Sequence, residues 1–511
     1  MNKILKELKK ENNYTYTENG AVTYKSTMNG LLDLFGMGAA YRTRTDEDCI
    51  LLFMKAFKED PKYALKCLFY LRDCRGGQGE RRFFRVVCKY LADHETAAMR
   101  RNLKFVPEFG RWDDLYTFVD TKLEKEAFGL IHDQMVLDLE CKTPSLLAKW
   151  LKSENTSSAE SRKLAIKTRQ ALGLSPALYR KGLSLLRKRI NVVERLMSAG
   201  EWDKIEFDKI PSKAGLVYRN AFARHDIERL RADKNAVAYK DFIKDEKTTV
   251  NAKALYPYEV VAKASAYTGM NSGGWWYGTQ DKNDPVERAA INKYWENLED
   301  YFNGCSLDAL CVVDTSDSMW GKEASAPINV AISLGMYAAE RARGPFHGHY
   351  ISFSSRPQLI EIEGVDFVDK VRRIYETNLC ENTNIEATFD MLLRTAKRTH
   401  CRQSDLPKSI VIISDMEFDA ARSQGWGRAT NNVRTLMEGI ADKWAAAGYQ
   451  MPNLVFWNVQ ARQNNVPMKA KDGVTLCSGF SPVLFEQIMK GKTGYDLMMD
   501  KLNSARYECI G

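Results

Sequence analysis

The sequence predicts a multidomain chain: an all-α helical-repeat part over residues 1–304 and an α/β domain with a parallel sheet over residues 305–511. Two observations predict this fold class. Apolar residues recur at three- and four-residue steps from about residue 46 to residue 245, which is typical of amphipathic helices. From Leu307 onward, continuous apolar runs alternate with helical stretches, which is typical of buried parallel strands.

The first part reads as consecutive helices joined by brief turns. Polar or Gly/Pro punctuation separates the apolar runs at residues 60–61, 76–79, 107–110 and 143–144. Such helices are expected to pair and stack as a solenoid, although no fixed-period repeat is visible. The Gly-rich, aromatic segment 268–278 breaks the pattern and is predicted to be a boundary or a lid. A further helix near residues 285–302 then leads into the second part.

The second part alternates between strand and helix. The apolar runs that predict strands lie at residues 307–313, 349–353, 409–414 and 453–459. Helical stretches are predicted between them near residues 326–343, 384–399 and 429–447. We therefore expect a sheet that is covered by helices on both faces.

Composition excludes several classes of protein. Of the 511 residues 44% are hydrophobic, enough for sizeable cores, and no run of about 18 apolar residues predicts a membrane span. The first residues are charged and lack a signal-peptide core, so we expect a cytoplasmic protein with no membrane contact. Eleven cysteines without a C-x-x-C pair argue against a zinc site or a disulfide framework, and six histidines leave little for histidine catalysis.

The basic excess lies entirely in the first part. Residues 1–300 hold 52 Lys and Arg against 42 Asp and Glu, whereas residues 301–511 hold 23 against 24. This asymmetry suggests a polyanionic partner for the helices. Solvated helix surfaces would give the same count, so charge alone leaves both interpretations open.

Oxygen-bearing side chains follow two of the predicted strands. Asp314, Ser316 and Ser318 come directly after the first strand of the second part, and Asp415 ends the run at 410–414. Thr383 lies on a loop that opens a helical stretch. Because strands of an open α/β sheet place ligands at their carboxyl ends, these five are candidate ligands of Mg²⁺ or another hard divalent cation.

The pattern D-x-S-x-S, then a loop threonine, then a strand-end aspartate resembles the metal-ion-dependent adhesion site (MIDAS) of von Willebrand factor A domains. The resemblance covers roughly residues 305–495. It implies a cation with an open position for an acidic group of a partner, since neutral hydroxyls leave the ion's charge uncancelled. The alternative is that Asp314 is a strand-end cap and that the two serines are turn formers.

Enzymatic interpretations find less support. Neither a G-x-S-x-G elbow nor a G-x-x-x-x-G-K-[ST] phosphate loop occurs, and Ser316 stands where a haloacid-dehalogenase-like phosphatase has its second aspartate. Glu417 is the one obvious base near the predicted ion. We therefore expect no catalytic residues, and a metal-dependent phosphoesterase remains a third hypothesis.

Two groups of basic residues are candidate RNA contacts. A glycine-rich turn between two helical runs carries the first, and the second lies on later helices, where steps of three, four and seven place several cations on shared faces. The turn could equally be structural, its arginines pairing with Asp73 and Glu80, and the later cations could be solvated. The candidates are Arg72, Arg75, Arg81, Arg82, Lys149, Lys152, Arg180, Lys181, Arg187, Lys188 and Arg189.

Helices first and an adhesion-type A domain last is a layout that resembles the Ro autoantigen family, whose helical portion is called the TROVE module. Residues 16–23 resemble that family's early segment, residues 255–259 the segment before the A domain, and residues 477–480 the closing strand. The bacterial and viral Ro-like branch is the most similar. The resemblance implies HEAT-like helices in a ring closed by the A domain, a monomer, and a ribonucleoprotein containing small structured or misfolded noncoding RNA.

The leading hypothesis is therefore a non-catalytic RNA-binding protein with a magnesium-dependent adhesion domain. The alternative is a metal-dependent scaffold that holds protein partners without RNA. In both, a partner would offer an acidic residue to the metal.

Overall fold

The computed structural model describes residues 4, 12–269, 283–302, 308–321, 323–341, 343–353, 356–377, 383–420, 435–468, 473–489, 492 and 494–511. The predicted fold class is confirmed: a helical N-terminal region is followed by an α/β domain with a mostly parallel sheet. Residues 270–278 of the predicted boundary segment, Leu307 and residues 429–434 lie outside the described residues.

Contacts group the chain into two compact units. The first contains residues 1–67 and 255–505, and the second contains residues 68–254 and 506–511. This grouping cuts across the predicted division into residues 1–304 and 305–511, which follows the order of segments along the chain. The early segments are grouped with the sheet because they pack on it, as described below.

The first unit is built around a six-stranded sheet. Its strands are β3 (Ala309–Asp314), β4 (His349–Phe353), β5 (Gln358–Glu361), β6 (Ser409–Ser414), β7 (Asn453–Asn458) and β8 (Val474–Ser478). Their order is β5-β4-β3-β6-β7-β8, and all neighbours are parallel except β4 and β5. The chain adds β4 on one side of β3 and β6 on the other, so the topological switch point lies between β3 and β6.

A hairpin and two helices at the start of the chain also belong to this unit. They are β1 (Tyr14–Tyr16), β2 (Val22–Tyr24), α1 (Gly30–Met37) and α2 (Asp46–Glu59). The hairpin strands pair antiparallel over only three residues each. Strands this short carry almost no alternation signal, which is why the sequence did not predict them.

Helices cover the sheet. The first unit also contains α15 (Pro257–Tyr267), α16 (Pro285–Glu296), α17 (Pro327–Arg341), α18 (Phe367–Thr377), α19 (Ile385–Thr399), α20 (Leu436–Ala446), α21 (Leu484–Met489) and α22 (Gly494–Leu502). Helix α17 packs directly on β3 because Gly335 has no side chain: a Cβ there would lie 2.5 Å from Cγ2 of Val313. Helix α1 packs on β8.

The second unit is helical. After α3 (Pro61–Arg72), which spans the border between the units, come α4 (Arg82–His94), α5 (Thr96–Asn102), α6 (Val106–Phe109), α7 (Glu124–Glu140), α8 (Leu147–Trp150), α9 (Ala159–Ala171), α10 (Pro176–Arg189), α11 (Val193–Ser198), α12 (Ser212–Arg224), α13 (Asp226–Ala232) and α14 (Tyr239–Lys244). Helix α4 shows the rule: its apolar residues recur at three- and four-residue steps and are buried. Among the described residues, none of the helices is long and apolar enough to cross a bilayer.

Candidate metal centre

The loop after β3 gathers the first three candidate ligands. Asp314 is the last residue of the strand, and its side chain is fully buried. The backbone N–H of Ser316 donates to Oδ1 of Asp314 at 2.9 Å, and the hydroxyl oxygens of Ser316 and Ser318 lie 3.1 Å apart. A short 3-10 turn, Asp317–Met319, holds these hydroxyls beside the carboxylate and leaves the Asp317 side chain exposed.

The loop after β6 brings the second carboxylate beside the first. Ser414, the last residue of β6, donates its hydroxyl to Oδ2 of Asp314 at 2.5 Å. Asp415 follows it, is 1% exposed, and accepts the N–H of Glu417 on Oδ1 at 3.2 Å. Among the described residues, no donor bonds the buried Oδ2 of Asp415. A buried carboxylate oxygen without a hydrogen-bond donor is costly, and the guanidinium of Arg462, 3.9 Å away, lies beyond hydrogen-bond distance.

The pKa of each of the two carboxyl groups is raised above its ordinary value. Burial, together with the nearby charge of Asp415, raises the pKa of Asp314 to about 7. Burial also raises the pKa of Asp415, although a hydrogen bond from Ser318 opposes that shift. Two buried acids side by side resist ionising together unless a cation lies between them.

Thr383 reaches this group through intermediates. Its backbone carbonyl accepts the N–H of Asp419 at 3.0 Å, and its hydroxyl accepts Nδ2 of Asn19 at 3.4 Å. The same Asn19 nitrogen donates to the carbonyl of Glu417 at 2.6 Å. Hydrogen bonds therefore link Asp314, Ser316 and Ser318 directly, and Asp415 is held beside them through the adjacent Ser414. Asn19 ties Thr383 to the loop that carries Asp415.

The donor set fits a hard divalent cation. Two carboxylates and three hydroxyls offer oxygen alone, as Mg²⁺ prefers, and nearly all of them are buried. Within the described part of the chain, no three His, Cys, Asp or Glu side chains cluster as a metal site. A site with only two carboxylates leaves much of the ion's charge uncancelled. We call Asp314, Ser316, Ser318, Thr383 and Asp415 the metal face; their role as ligands stays a prediction.

Glu417 is tied into the structure. It is buried, and its two carboxylate oxygens accept the backbone N–H of Glu18 at 2.7 Å and Nδ2 of Asn465 at 2.9 Å. Burial raises its pKa to about 7. With both oxygens engaged, the side chain holds the loop in place and is poorly arranged to take a proton from a water.

Sequence reasoning missed the residues around the metal face. Asn19 bonds Thr383 and Ser414 bonds Asp314, while the backbone N–H of Glu18 bonds the neighbouring Glu417. Nη1 of Arg462 lies 3.9 Å from Oδ2 of Asp415 and 3.2 Å from the Glu18 carboxylate. Spacing along the chain gives no signal for Glu18 or Asn19, because each contacts residues more than 360 positions away.

The structure corrects the assignment of Arg72. This arginine is 2% exposed, and its Nε donates to Oδ2 of Asp114 at 2.9 Å, while Arg85 binds the other oxygen of the same carboxylate at 2.7 Å. Burial raises the pKa of Asp114, but the two guanidinium groups outweigh it and hold that pKa below its ordinary value. Arg72 is therefore a core ion-pair residue and is not available to a phosphate.

The glycine-rich turn is also structural. Its Asp73 accepts Nη2 of Arg506 at 2.7 Å and the hydroxyl of Tyr507 at 3.0 Å, so the turn anchors the end of the chain. A Cβ at Gly77 would lie 2.0 Å from the carbonyl oxygen of Tyr70, which explains the glycine. Nη1 of Arg75 donates to the carbonyl of Glu108 at 2.5 Å.

Two arginines of the second group are likewise committed to the backbone. Arg187 donates to the carbonyls of Ala148 and Leu151, both at 2.9 Å, and Arg189 donates to that of Leu139 at 2.7 Å. Because Arg187 is half-buried and all three of its nitrogens are engaged, it holds α8 against α10 and is removed from the set of RNA contacts. Arg189 keeps an exposed side chain.

The other cations are accessible. Arg81 is exposed, and Arg82 is half-buried. We call Lys149, Lys152, Arg180, Lys181 and Lys188 the basic cluster. Arg180, Lys181 and Lys188 are exposed, and within the described part of the chain no acid pairs with any member of the cluster. Lys149 and Arg180 line an open cavity of about 570 Å³ between α10 and α11, together with Arg187, Glu194 and Arg195.

Comparison with known proteins gives family matches over most of the chain. A model described as domain of unknown function DUF2828 matches residues 17–172 and 144–302, and one described as domain of unknown function DUF7788 matches residues 308–506. The uncharacterized protein L728 of Acanthamoeba polyphaga mimivirus is 29% identical over 519 aligned positions, covering 94% of this chain and 85% of that protein.

One solved structure is also similar. The crystal structure of the Deinococcus radiodurans Ro (RSR) protein aligns with a TM-score of 0.38 and 14% identity, over 93% of this chain and 99% of that one. A TM-score of this size does not establish a shared fold, so kinship with the Ro family stays a prediction. The DUF2828 matches together span more than half of the sequence, and the chain belongs to the DUF2828 family.

Proposed function

We propose that this protein is a non-catalytic binding protein whose α/β domain is a von Willebrand factor A-type adhesion module. The metal face holds Mg²⁺ or another hard divalent cation, and the cation takes an acidic group of a partner at an open position. One observation carries the proposal. The carboxylates of Asp314 and Asp415 lie together at the switch point of the sheet, and a buried oxygen of Asp415 has no donor in the described structure.

The chemistry of the residues supports this role. A cation between the two carboxylates would satisfy the orphaned oxygen and offset the burial of two negative charges. The hydroxyls of Ser316, Ser318 and Thr383 complete the geometry without adding charge. The ion then stays electrophilic enough to attract a carboxylate from another molecule.

The test compares two aspartates, Asp314 and Asp317, that lie three positions apart in the sequence. Asp314→Ala removes a buried predicted ligand, whereas Asp317→Ala removes an exposed carboxylate of equal charge. Titration with Mn²⁺, followed by paramagnetic resonance, should show wild-type affinity for Asp317→Ala. For Asp314→Ala the affinity should fall more than about 100-fold, since even the outer partners of metal ligands contribute about 10- to 100-fold.

Partner binding should depend on the same ion. A short peptide rich in glutamate should be captured in Mg²⁺, released by EDTA, and lost in Asp314→Ala. Peptide capture that persists in EDTA would contradict the proposal, as would Mn²⁺ affinity that is equal in the two aspartate variants.

We further propose that the helical unit binds noncoding RNA. The supporting observation is the basic cluster, of which Arg180, Lys181 and Lys188 are exposed and two members, Lys149 and Arg180, line the cavity beside α10. Cations of this kind neutralise phosphates, so affinity for a folded RNA should fall steeply as salt rises. RNA retention on filters that does not change between low and high salt would contradict this second part.

The proposal assigns no chemistry to the metal face. Glu417, the base that a phosphoesterase would need, has both carboxylate oxygens occupied by donors. Incubation with phosphodiester substrates in Mg²⁺ or Mn²⁺ should therefore give no turnover, and measurable turnover that is lost in Asp314→Ala would overturn the non-catalytic assignment.

A further inference from the structure

The tip of the β1–β2 hairpin lies on the loop that carries Asp415. The hydroxyl of Thr17 donates to the carbonyl of Phe418 at 2.6 Å, and the N–H of Ala420 donates to the carbonyl of Asn19 at 3.2 Å. Gly20 and Asp419 form an antiparallel bridge. A segment from the start of the chain is thus built into the rim of the metal face as an extra strand-like edge.

Asn19 connects two of the segments that supply predicted ligands. Its Nδ2 donates to the carbonyl of Glu417 at 2.6 Å and to the hydroxyl of Thr383 at 3.4 Å. A hydroxyl oxygen has two lone pairs. With one of them facing Asn19, the other is left for a cation or for a water bound to it. The amide therefore fixes both the position of Thr383 and the direction of its free lone pair.

Glu18 lies close to the metal face, with its carboxylate beside Arg462. Its backbone N–H is fixed by Glu417, and its carboxylate lies 3.2 Å from Nη1 of Arg462. The same nitrogen lies 3.9 Å from the orphaned Oδ2 of Asp415. Arg462 thus stands between an exposed carboxylate of the protein and the buried carboxylate that lacks a donor. An acidic group arriving from outside would meet the same guanidinium and the same cation as Glu18.

We propose that the Glu18–Asn19 turn is a built-in part of the metal centre, with Asn19 as a positioning residue for Thr383 and Glu18 as an internal competitor for the acidic partner. This inference rests on the proposed function of the metal face. It predicts opposite effects for two neighbouring residues: loss of the Asn19 amide weakens cation binding, whereas loss of the Glu18 charge strengthens binding of the acidic ligand.

The experiment uses the full chain and four proteins: wild type, Asn19→Ala, Glu18→Gln and Asp317→Ala. Mn²⁺ affinity should fall about 10- to 100-fold in Asn19→Ala, as for other residues that orient metal ligands. It should change less than about threefold in Glu18→Gln. Affinity for the glutamate-rich peptide in Mg²⁺ should rise in Glu18→Gln by up to about fivefold, the range expected for one exposed ion pair.

Melting curves distinguish a purely structural role of Asn19 from a role in positioning the predicted ligand Thr383. If Asn19 only supports the fold, Asn19→Ala has a lower melting temperature in EDTA, but its melting temperature still rises on adding Mg²⁺ as in the wild type. If it positions a ligand, the increase in melting temperature on adding Mg²⁺ is itself lost, and Asn19→Leu, which keeps the shape and removes the donor without adding a charge, behaves in the same way. An unchanged increase in both variants would overturn the role of Asn19.

The remaining outcomes are distinct. Peptide affinity that is unchanged or lower in Glu18→Gln would overturn internal competition. Absence of Mn²⁺ binding to wild type and Asp317→Ala alike would instead reject the proposed function, and this inference would fall with it. Wild-type binding together with an unaltered Asn19→Ala would reject the inference alone.

Discussion

The metal face of the first unit and the helices of the second unit differ in how their charged side chains are buried and paired. On the metal face two carboxyl groups are buried, and within the described structure Oδ2 of Asp415 has no hydrogen-bond donor and only the guanidinium of Arg462 at 3.9 Å, whereas three cations of the basic cluster, Arg180, Lys181 and Lys188, are exposed. Between these extremes, Arg72 is buried and fully paired with Asp114. Charges that a fold leaves unpaired point to a ligand, and charges that it pairs internally point to stability.

The largest effect should come from breaking the buried pair. Asp114→Ala leaves Arg72 buried without its carboxylate and leaves Arg85 paired with Asp113 alone, so we expect the free energy of unfolding to fall by about 3–5 kcal/mol. Urea denaturation measures this change. Arg75→Ala, at an exposed position of the glycine-rich turn nearby, should change the free energy of unfolding by less than about 0.5 kcal/mol. A small effect of Asp114→Ala would undo the distinction between paired and unpaired charge.

A smaller effect on stability is expected where Asp73 binds Arg506 and Tyr507. Burial raises the pKa of Asp73, but hydrogen bonds from Arg506 and from the turn outweigh it, and the pKa lies below its ordinary value. A carboxyl group with a lowered pKa stabilises the fold above the pKa of the unfolded chain, about 3.9, and this contribution is lost as pH falls through the lowered value.

Asp73→Asn should therefore cost about 1.5–3 kcal/mol at pH 7, the range for hydrogen bonds to charged groups. The difference from wild type should shrink as the pH is lowered below 4, because the wild type then loses the same charge. Denaturation in urea at several pH values follows both proteins. If the difference in free energy of unfolding between wild type and Asp73→Asn stays constant down to pH 2, the charge of Asp73 does not contribute to stability.

The two regions also differ in how far the sequence could predict them. Asp314 and Asp415 each follow a continuous apolar run, and parallel strands end at one edge, so local pattern was enough to place them together. Glu18 and Asn19 depend on a tertiary contact of a three-residue hairpin strand, for which the sequence holds no periodic signal.

Counts of basic residues predicted functional residues less well than the strand-end pattern did. They placed Arg72, Arg187 and Lys181 in one class, yet the first is paired in the core, the second caps backbone carbonyls, and only the third is exposed. An arginine's five donors serve a carbonyl cluster as well as a phosphate, so composition cannot separate these roles. Only the partner, read from the folded chain, decides between them.

The smallest effect should separate cations without acidic partners from a cation that is engaged by backbone carbonyls. Replacing Lys149, Arg180 and Lys181 by Gln removes three cations that have no acidic partner in the described structure, and melting should be nearly unchanged. For a folded RNA, the slope of log affinity against log salt should become less steep by about two, at roughly 0.7–0.9 per lost phosphate contact. Filter binding across a salt series measures it.

Arg187→Gln is the matched control, since it removes one cation from α10 whose nitrogens are all engaged by the protein. It should lower the melting temperature, because carbonyls of α8 and the residue after it lose their donors, and should leave the salt slope unchanged. If instead Arg187→Gln flattens the slope while the triple variant does not, RNA would contact Arg187 and not the three replaced cations. The contrast between unpaired and paired cations would then have to be reversed for this helix.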